Sequence, residues 1–304
     1  EPQDGQWRAR AKERLDQLTM PHWALGRLMD LSMDLAGITR SMQPPVRRRS
    51  VVVMAGDHGV ADEGVSCYPK DVTAQMVYNF VARGAGINAL GESSGTGVVV
   101  VDMGVATDLS GLAEAGKIIS KKIAPGTACM TKGPTMTREQ ATQALEAGIA
   151  VAYELGEQND VLATGEMGIA NTTPSSAIVS VLCGKPVADV TGRGTGIGDD
   201  SHKNKVAVIE RAISLNAPDA NDPLDVLAKV GGFEIGGLAG LILGAAAQRK
   251  PVVIDGFIST AAALIAHAFE PKAADYMVAA HQSVECGHRA ALEKLGKRPL
   301  LDLD

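Results

Sequence analysis

The chain has 304 residues, of which 45% are hydrophobic, so it can bury a large core as one large α/β domain or as one large domain plus a small one. Its formal net charge is -6 and its Lys and Arg residues are scattered, which excludes the basic patch expected of a protein that binds nucleic acid or an anionic membrane surface. The apolar runs are shorter than the roughly 20 residues that a membrane helix needs. We therefore expect small molecules or other subunits as partners, with no nucleic acid and no membrane.

The first 44 residues differ in pattern from the rest of the chain. Two charged amphipathic helices are predicted, at 7–18 and 25–39, and no strand pattern occurs before Pro44. We predict that residues 1–44 form the helical part of a small subdomain and that residues 45–304 form an α/β domain. The first 18 residues are charged and lack the apolar stretch of a secretory signal, so we expect a cytoplasmic location.

After residue 45, short β-branched runs alternate with amphipathic helical stretches, a pattern that indicates βαβ units and a parallel sheet. Thr137 and Gln140 form a capping box at the start of one predicted helix. The helix with the capping box is predicted at 137–155. The other helices in this part are predicted at 71–82, 203–215, 222–229 and 260–268. The predicted strands are 50–54, 98–102, 160–163, 186–190, 251–254 and 276–280.

The four cysteines, Cys67, Cys129, Cys183 and Cys286, lie far apart without a C-x-x-C pair. This spacing indicates neither a zinc site nor a disulfide framework, and buried free thiols in a reducing cytoplasm are the expected state. The histidines at 58, 202, 281 and 288 lack the spacing of a helical metal site. We therefore expect no metal and no cofactor.

Carboxylates follow most of the predicted strands. Parallel strands bring their carboxyl ends to one edge of a sheet, where ligands bind beside helix N-termini. An Asp at such a position often only caps a helix or a turn, and that alternative stays open for three of these residues. Glu is a poorer cap, so the two glutamates are the stronger candidates for a functional role. The five residues are Asp57, Asp102, Glu166, Asp255 and Glu285.

Two glycine-rich loops are candidate phosphate sites. Residues 191–196, TGRGTG, offer several backbone N–H groups and one arginine, and residues 165–168, GEMG, precede a predicted helix N-terminus. Neither matches an established nucleotide-binding motif, so a purely structural turn is the alternative. Glycines at 231–237, GGFEIGG, are explained at least as well by tight helix packing.

Several long motifs resemble those of one enzyme family over nearly the full chain. They are AGDHGV at 55–60, EGVS at 63–66, VTAQM at 72–76, GEMGIANTTP at 165–174, VGGFEIGG at 230–237, DGFIS at 255–259 and SVECG at 283–287. Together they identify the chain as similar to the nicotinate-nucleotide:dimethylbenzimidazole phosphoribosyltransferases. The resemblance implies a Rossmann-like parallel six-stranded sheet flanked by helices, a small helical subdomain built from both chain ends, and a homodimer.

The resemblance also implies a reaction and a set of roles. Nicotinate mononucleotide and 5,6-dimethylbenzimidazole, or a related benzimidazole-type base, would give α-ribazole 5'-phosphate and nicotinate with inversion at C1'. Glu285 would be the catalytic base and Glu166 a second catalytic group. The residues assigned to phosphate and ribose are Gly168, Lys205, Arg193, Gly194, Thr195 and Gly196. Those assigned to the base pocket are Tyr68, Gln75, Met76, Ser259 and Ser283.

The chain departs from the family pattern at residues 20–26, which read MPHWALG where members usually read KPPGSLG, and at Cys129, where Asn is common. We also expect that the chain ends before a C-terminal segment that members carry. Two other functions stay open at this stage. One is a catalytically silent nucleotide- or benzimidazole-binding module, and the other is a metal-dependent phosphohydrolase built on Asp57, His58, Asp255 and His281.

Overall fold

A parallel sheet forms the centre of the molecule, in a computed structural model that describes residues 1–303. Its strand order is β3-β2-β1-β4-β5-β6, so the chain direction across the sheet reverses between β1 and β4. In such doubly wound sheets the crevice for ligands lies beyond the carboxyl ends of the strands at that reversal. The strands are β1 Arg49–Gly56, β2 Gly97–Gly104, β3 Ile119–Ser120, β4 Val161–Met167, β5 Val252–Ile254 and β6 Met277–Ala279. The predicted six-stranded parallel sheet is confirmed.

Helices cover both faces of the sheet. The predicted capping box is present, because the Thr137 hydroxyl accepts from the N–H of Gln140 and the Gln140 side chain accepts from the N–H of Thr137. The helices are α1 Gly5–Asp16, α2 Arg27–Thr39, α3 Val72–Val81, α4 Gly86–Ser94, α5 Ser110–Glu114, α6 Arg138–Gly156, α7 Thr172–Cys183, α8 Val187–Val190, α9 Asp199–Asn216, α10 Pro223–Val230, α11 Phe233–Ala247, α12 Gly256–Phe269 and α13 Cys286–Leu295. Two 3-10 helices, Gly59–Glu63 and Pro271–Tyr276, complete the set for the described residues.

The strand prediction at 186–190 is wrong, since these residues form the short helix α8. Val187 and Val190 are both buried while Asp189 is exposed, which is helical i, i+3 spacing and not the alternation of a strand. Pro186 just before the helix supplies a backbone suited to helix initiation. The sixth strand is instead β3, an edge strand of two residues that pairs with Val101 and Asp102 of β2.

Helix α11 packs directly on α6 and forms the densest part of the core. A Cβ atom added to Gly148 of α6 would lie 1.9 Å from the carbonyl oxygen of Gly237, and one added to Gly240 would lie 2.0 Å from that of Leu145. Only glycine permits such close backbone contact. Tight helix packing therefore explains the glycines of α11, and it aims the N-terminus of α11 at the carboxyl end of β1.

The N-terminal helices α1 and α2 pack against each other and against the far end of the sheet domain. The Gln3 N–H donates to Asp275, and the Arg249 guanidinium donates to the carbonyl of Gly37 at 2.9 Å. These contacts join the helical layer to the 3-10 helix before β6 and to the loop between α11 and β5. The division of the chain at residue 44 stays a prediction.

All four cysteines are free thiols, as predicted, but the expectation that they are buried is wrong. Cys67 and Cys286 are exposed, and Cys129 and Cys183 are half-buried. Among residues 1–303, no helix has the length and apolar character needed to cross a membrane.

Candidate active site

A cavity of about 450 Å³ opens at the carboxyl ends of the central strands, where the fold places the ligand crevice. Its walls come from the end of β4 and the start of α7, from the loop before α9, from the start of α12 and from the segment before α13. Six of the residues singled out from the sequence line it, namely Glu166, Gly168, Gly194, Thr195, Ser283 and Glu285. The structure therefore brings both candidate catalytic glutamates to one cavity.

Glu285 occupies the N-cap position of α13 without capping the helix by its side chain. Its Oε1 accepts instead from the backbone N–H of Gly194 at 2.8 Å. Its Oε2 is buried and has no hydrogen-bond partner among the described residues. Glu285 lines the cavity, so its carboxylate, with one oxygen held and the other buried without a partner, lies beside a ligand bound there and is a candidate proton acceptor.

Gly192 makes room for this carboxylate. A Cβ atom at that position would lie 1.9 Å from Oε2 of Glu285, far inside van der Waals contact. Any larger residue would push the glutamate from its place. In the glycine-rich loop 191–196, the N–H of Gly194 therefore binds the Glu285 carboxylate, and the lack of a side chain at Gly192 leaves space for it.

Glu166 lies at the end of β4, where Asn171 donates a hydrogen bond to its Oε2. Burial raises the pKa of Glu166 to about 7, and the nearby carboxylates of Glu234 and Asp255 add to this rise. The hydrogen bond from Asn171 and the charge of His58 act in the opposite direction. Glu166 therefore changes charge close to neutral pH.

Lys205 of α9 is completely buried behind the glycine-rich loop and does not line the cavity. Its ammonium donates to the hydroxyl of Thr172 at 2.7 Å and lies 3.5 Å from the carbonyl oxygen of Gly192. Burial lowers the pKa of Lys205 to about 8, although the negative charge of Glu285 opposes this shift. The ammonium thus places a positive charge beneath the loop that faces the cavity.

The other residues of the loop divide into two groups. Gly194 and Thr195 line the cavity, and their contact with a phosphate stays a prediction. The guanidinium of Arg193 is bound within its own loop, by the carboxylate of Asp199 and the carbonyl of Ile197, and neither it nor Gly196 lines the cavity. A direct role of Arg193 with a ligand stays a prediction that this arrangement does not favour.

Of the residues predicted for the base pocket, only Ser283 lines the cavity. Tyr68 and Gln75 are exposed and Met76 packs into the apolar cluster between α3 and the sheet. Ser259 is buried with no hydrogen-bond partner for its hydroxyl among the described residues. Several apolar residues that line the cavity were not predicted as site residues, because nothing in their local pattern separates them from core residues. They are Val65, Met167, Ile169, Ala170, Phe257, Ile258 and Val284.

A buried pair beneath the cavity was not predicted from the sequence. His58 Nε2 and Glu234 Oε1 are 2.7 Å apart, and both side chains are shielded from solvent. A Cβ atom on Gly168, which lines the cavity, would lie 3.1 Å from this nitrogen, so the pair lies directly under the cavity wall. Burial alone would lower the pKa of His58, but Glu234, with Asp57 and Glu166, leaves it raised. The motifs at 55–60 and 230–237 contain both residues without revealing that they pair.

The aspartates at the strand ends bind neighbouring groups, although Oδ1 of Asp57 is buried without a partner among the described residues. Asp57 accepts from the N–H of Ala106 at 2.7 Å, and Asp102 accepts from two N–H groups of its own turn. Asp255 pairs with His281 at 2.9 Å. Among residues 1–303, no three His, Cys, Asp or Glu side chains are grouped as metal ligands. The phosphohydrolase alternative therefore has no assembled metal site in the part of the chain that the structure describes.

The doubly wound fold and its cavity place the chain among α/β enzymes. A family model described as phosphoribosyltransferase (DBI_PRT) matches residues 1–304, so the class of the protein is that of the phosphoribosyltransferases. The nicotinate-nucleotide–dimethylbenzimidazole phosphoribosyltransferase of Syntrophotalea carbinolica is 63% identical over 303 residues, which are 100% of this chain and 86% of that protein. The enzyme of the same name from Chloroflexus aggregans is 56% identical, over 100% of this chain and 85% of that protein. The chain therefore belongs to the nicotinate-nucleotide–dimethylbenzimidazole phosphoribosyltransferase family.

A solved structure agrees with this assignment. The crystal structure of the phosphoribosyltransferase of that name from Thermus thermophilus superposes with a TM-score of 0.93 at 42% identity. The match covers 99% of this chain and 89% of that one. The predicted fold class and the predicted family are confirmed.

Proposed function

We propose that this chain transfers the phosphoribosyl group of nicotinate mononucleotide to 5,6-dimethylbenzimidazole or a related base, releasing nicotinate and forming α-ribazole 5'-phosphate. Its family membership supports the reaction. The observation that carries the proposal in this molecule is the position of Glu285 at the cavity wall, where Gly194 holds one carboxylate oxygen and the other is buried without a partner. A base placed in this way suits an acceptor that must lose a proton as it reacts.

The reaction needs one proton acceptor and no proton donor. In nicotinate mononucleotide the ring nitrogen is positively charged, so breaking its bond to C1' releases a neutral pyridine ring and needs no acid. The benzimidazole attacks C1' with one ring nitrogen and loses the proton on its other nitrogen, which Glu285 accepts. Attack on the face opposite the leaving ring inverts C1' from β to α.

The charged groups around the cavity match the charges of this substrate. The backbone N–H of Thr195, with the ammonium of Lys205 beneath the loop, favours the phosphate. Glu166 in its ionised form favours the positive charge that develops on the ribose as the leaving ring departs. Holding the phosphate at one end and the base at the other aligns C1' for attack, which lowers the barrier by positioning.

We also propose that the chain is a homodimer in the cytoplasm. The dimer is implied by the family resemblance, and the location by free thiols that suit a reducing compartment. Size measurement in solution tests the dimer.

The proposed base is tested by Glu285→Gln. The amide keeps the size of the side chain and an oxygen that can accept from Gly194, but it cannot take up the proton. We expect kcat to fall by about 10² to 10⁴, with little change in either KM, in a coupled measurement of nicotinate release and riboside formation. The matched control is Glu293→Gln on the same helix, where the carboxylate is exposed and pairs only with Arg289. A wild-type kcat in Glu285→Gln would exclude Glu285 as the base and make Glu166 the next candidate.

A further inference from the structure

A chain of hydrogen bonds, partly or fully buried, connects the backbone beside Glu285 to the start of α12. The Glu285 N–H donates to the hydroxyl of Ser283 at 3.2 Å, and the Ser283 N–H donates to Nδ1 of His288 at 2.8 Å. The other ring nitrogen, Nε2, lies 3.0 Å from the hydroxyl of Thr260, which in turn donates to the carbonyl of Gly256 at 2.6 Å. The chain therefore spans the two cavity walls that Ser283 and Gly256 belong to.

The donors and acceptors in this chain determine the tautomer of His288. A backbone N–H can only donate, so Nδ1 of His288 must carry a lone pair. The proton of a neutral ring then sits on Nε2, which donates to the Thr260 hydroxyl. The proton of that hydroxyl is then available for the carbonyl of Gly256, so each hydrogen bond of the chain has one donor and one acceptor. His288 is 1% exposed, and no water is needed to satisfy either nitrogen.

We infer that His288 is a positioning residue for the proton-transfer step: as the neutral Nε2–H tautomer, it presents Nδ1 as the acceptor for the Ser283 N–H, fixes the 283–285 segment at the start of α13 and thereby holds Glu285 at the cavity wall. This inference rests on the proposed role of Glu285 as the base. His288 does not line the cavity and acts through Ser283 and Thr260. Burial lowers the pKa of His288 to about 4, with a contribution from the neighbouring His281, which agrees with a ring that stays neutral.

Two substitutions separate positioning from general support of the fold. In His288→Asn, the amide oxygen replaces Nδ1 and can still accept from the Ser283 N–H. In His288→Gln, the longer side chain reaches toward Thr260 but leaves that N–H without its acceptor. We expect His288→Asn to keep kcat within about threefold of wild type and His288→Gln to lose about tenfold to a hundredfold, the scale set by a displacement of about 1 Å in a catalytic group.

The expected loss is in kcat, because the phosphate-facing loop and Lys205 are not part of this hydrogen-bond chain. The KM for nicotinate mononucleotide should therefore change little in either variant. The matched control is His267→Asn at the other end of α12, where the imidazole is near the surface and contacts only the carbonyl of Pro271. It should leave kcat unchanged.

The tautomer is measured directly on the wild-type protein by the 15N chemical shifts of the imidazole nitrogens, with His288→Asn providing the assignment. Observation of the neutral Nε2–H form supports the inference, and observation of the Nδ1–H form or of the imidazolium at neutral pH overturns it. Equal kcat losses in the Asn and Gln variants, or losses that only follow their melting temperatures, also overturn it. A wild-type kcat in Glu285→Gln would instead refute the proposed base while leaving the tautomer result intact, so the two failures are distinguishable.

Discussion

Replacing Lys205 by Met should make the protein more stable and a poorer binder of nicotinate mononucleotide. Lys205 is completely buried, and its pKa is lowered from an ordinary value of 10.5 to about 8. At about 1.36 kcal/mol per pKa unit, burial of the charged form costs the folded state about 3 kcal/mol at pH 7. Met has a similar length and no charge, and it loses the hydrogen bond to Thr172, worth about 1 kcal/mol.

The net expectation is a gain of about 1 to 2 kcal/mol in the free energy of unfolding at pH 7, measured by urea titration. Below pH 8 both the folded and the unfolded wild-type chain carry the charge, so the full cost is present there. Between about pH 8 and 10.5 the folded state releases this proton before the unfolded state does, so the cost shrinks. The advantage of Lys205→Met should therefore be largest below pH 8 and small at about pH 10.

The kinetic expectation has the opposite sign. Loss of a charge beneath the phosphate-facing loop should raise the KM for nicotinate mononucleotide by about tenfold to a hundredfold and leave the KM for the base unchanged. Lys203→Met on the same helix is the control, because its side chain is exposed. A variant that is less stable than wild type at pH 7, or equal changes in both KM values, would refute the reasoning that this charge is kept for the substrate at a cost in stability.

Two further predictions concern the glutamates at the cavity. The pKa of Glu166 is about 7 and its ionised form is the one that favours the ribosyl cation, so kcat/KM should rise with pH through about 7. Glu166→Gln should abolish this rise. A rise that persists in the variant would show that a group other than Glu166 causes it. Gly192→Ala should lower kcat about as far as Glu285→Gln does, because the added Cβ would displace the Glu285 carboxylate. The effects of the two substitutions should therefore be non-additive in the double variant. Gly198→Ala is the control, since a Cβ at that position has open space and should not change kcat. Additive losses would contradict this.

Local patterns were sufficient for most of the fold. The β-branched runs of β1 and β2 and the capping box of α6 are properties of a few adjacent residues, and the structure contains them with small changes in their ends. Edge elements were less predictable. The two residues of β3 are too short to carry a periodicity, and Val187 and Val190 suit a strand in composition although their spacing buries both only in a helix.

The sequence by itself determined the family and the group of carboxylates at strand ends, because family motifs and strand ends can both be recognised along the chain. Only the tertiary structure decided that Glu285 accepts from the N–H of Gly194 at the cavity wall, while Asp57 and Asp102 accept from backbone N–H groups outside the cavity lining. It also decided that His58 pairs with Glu234, which lies 176 positions away. The physical reason is that the state of a charged side chain depends on burial and on the partners that face it, and these come from segments distant in the chain that only the packing of α11 and the loops brings together.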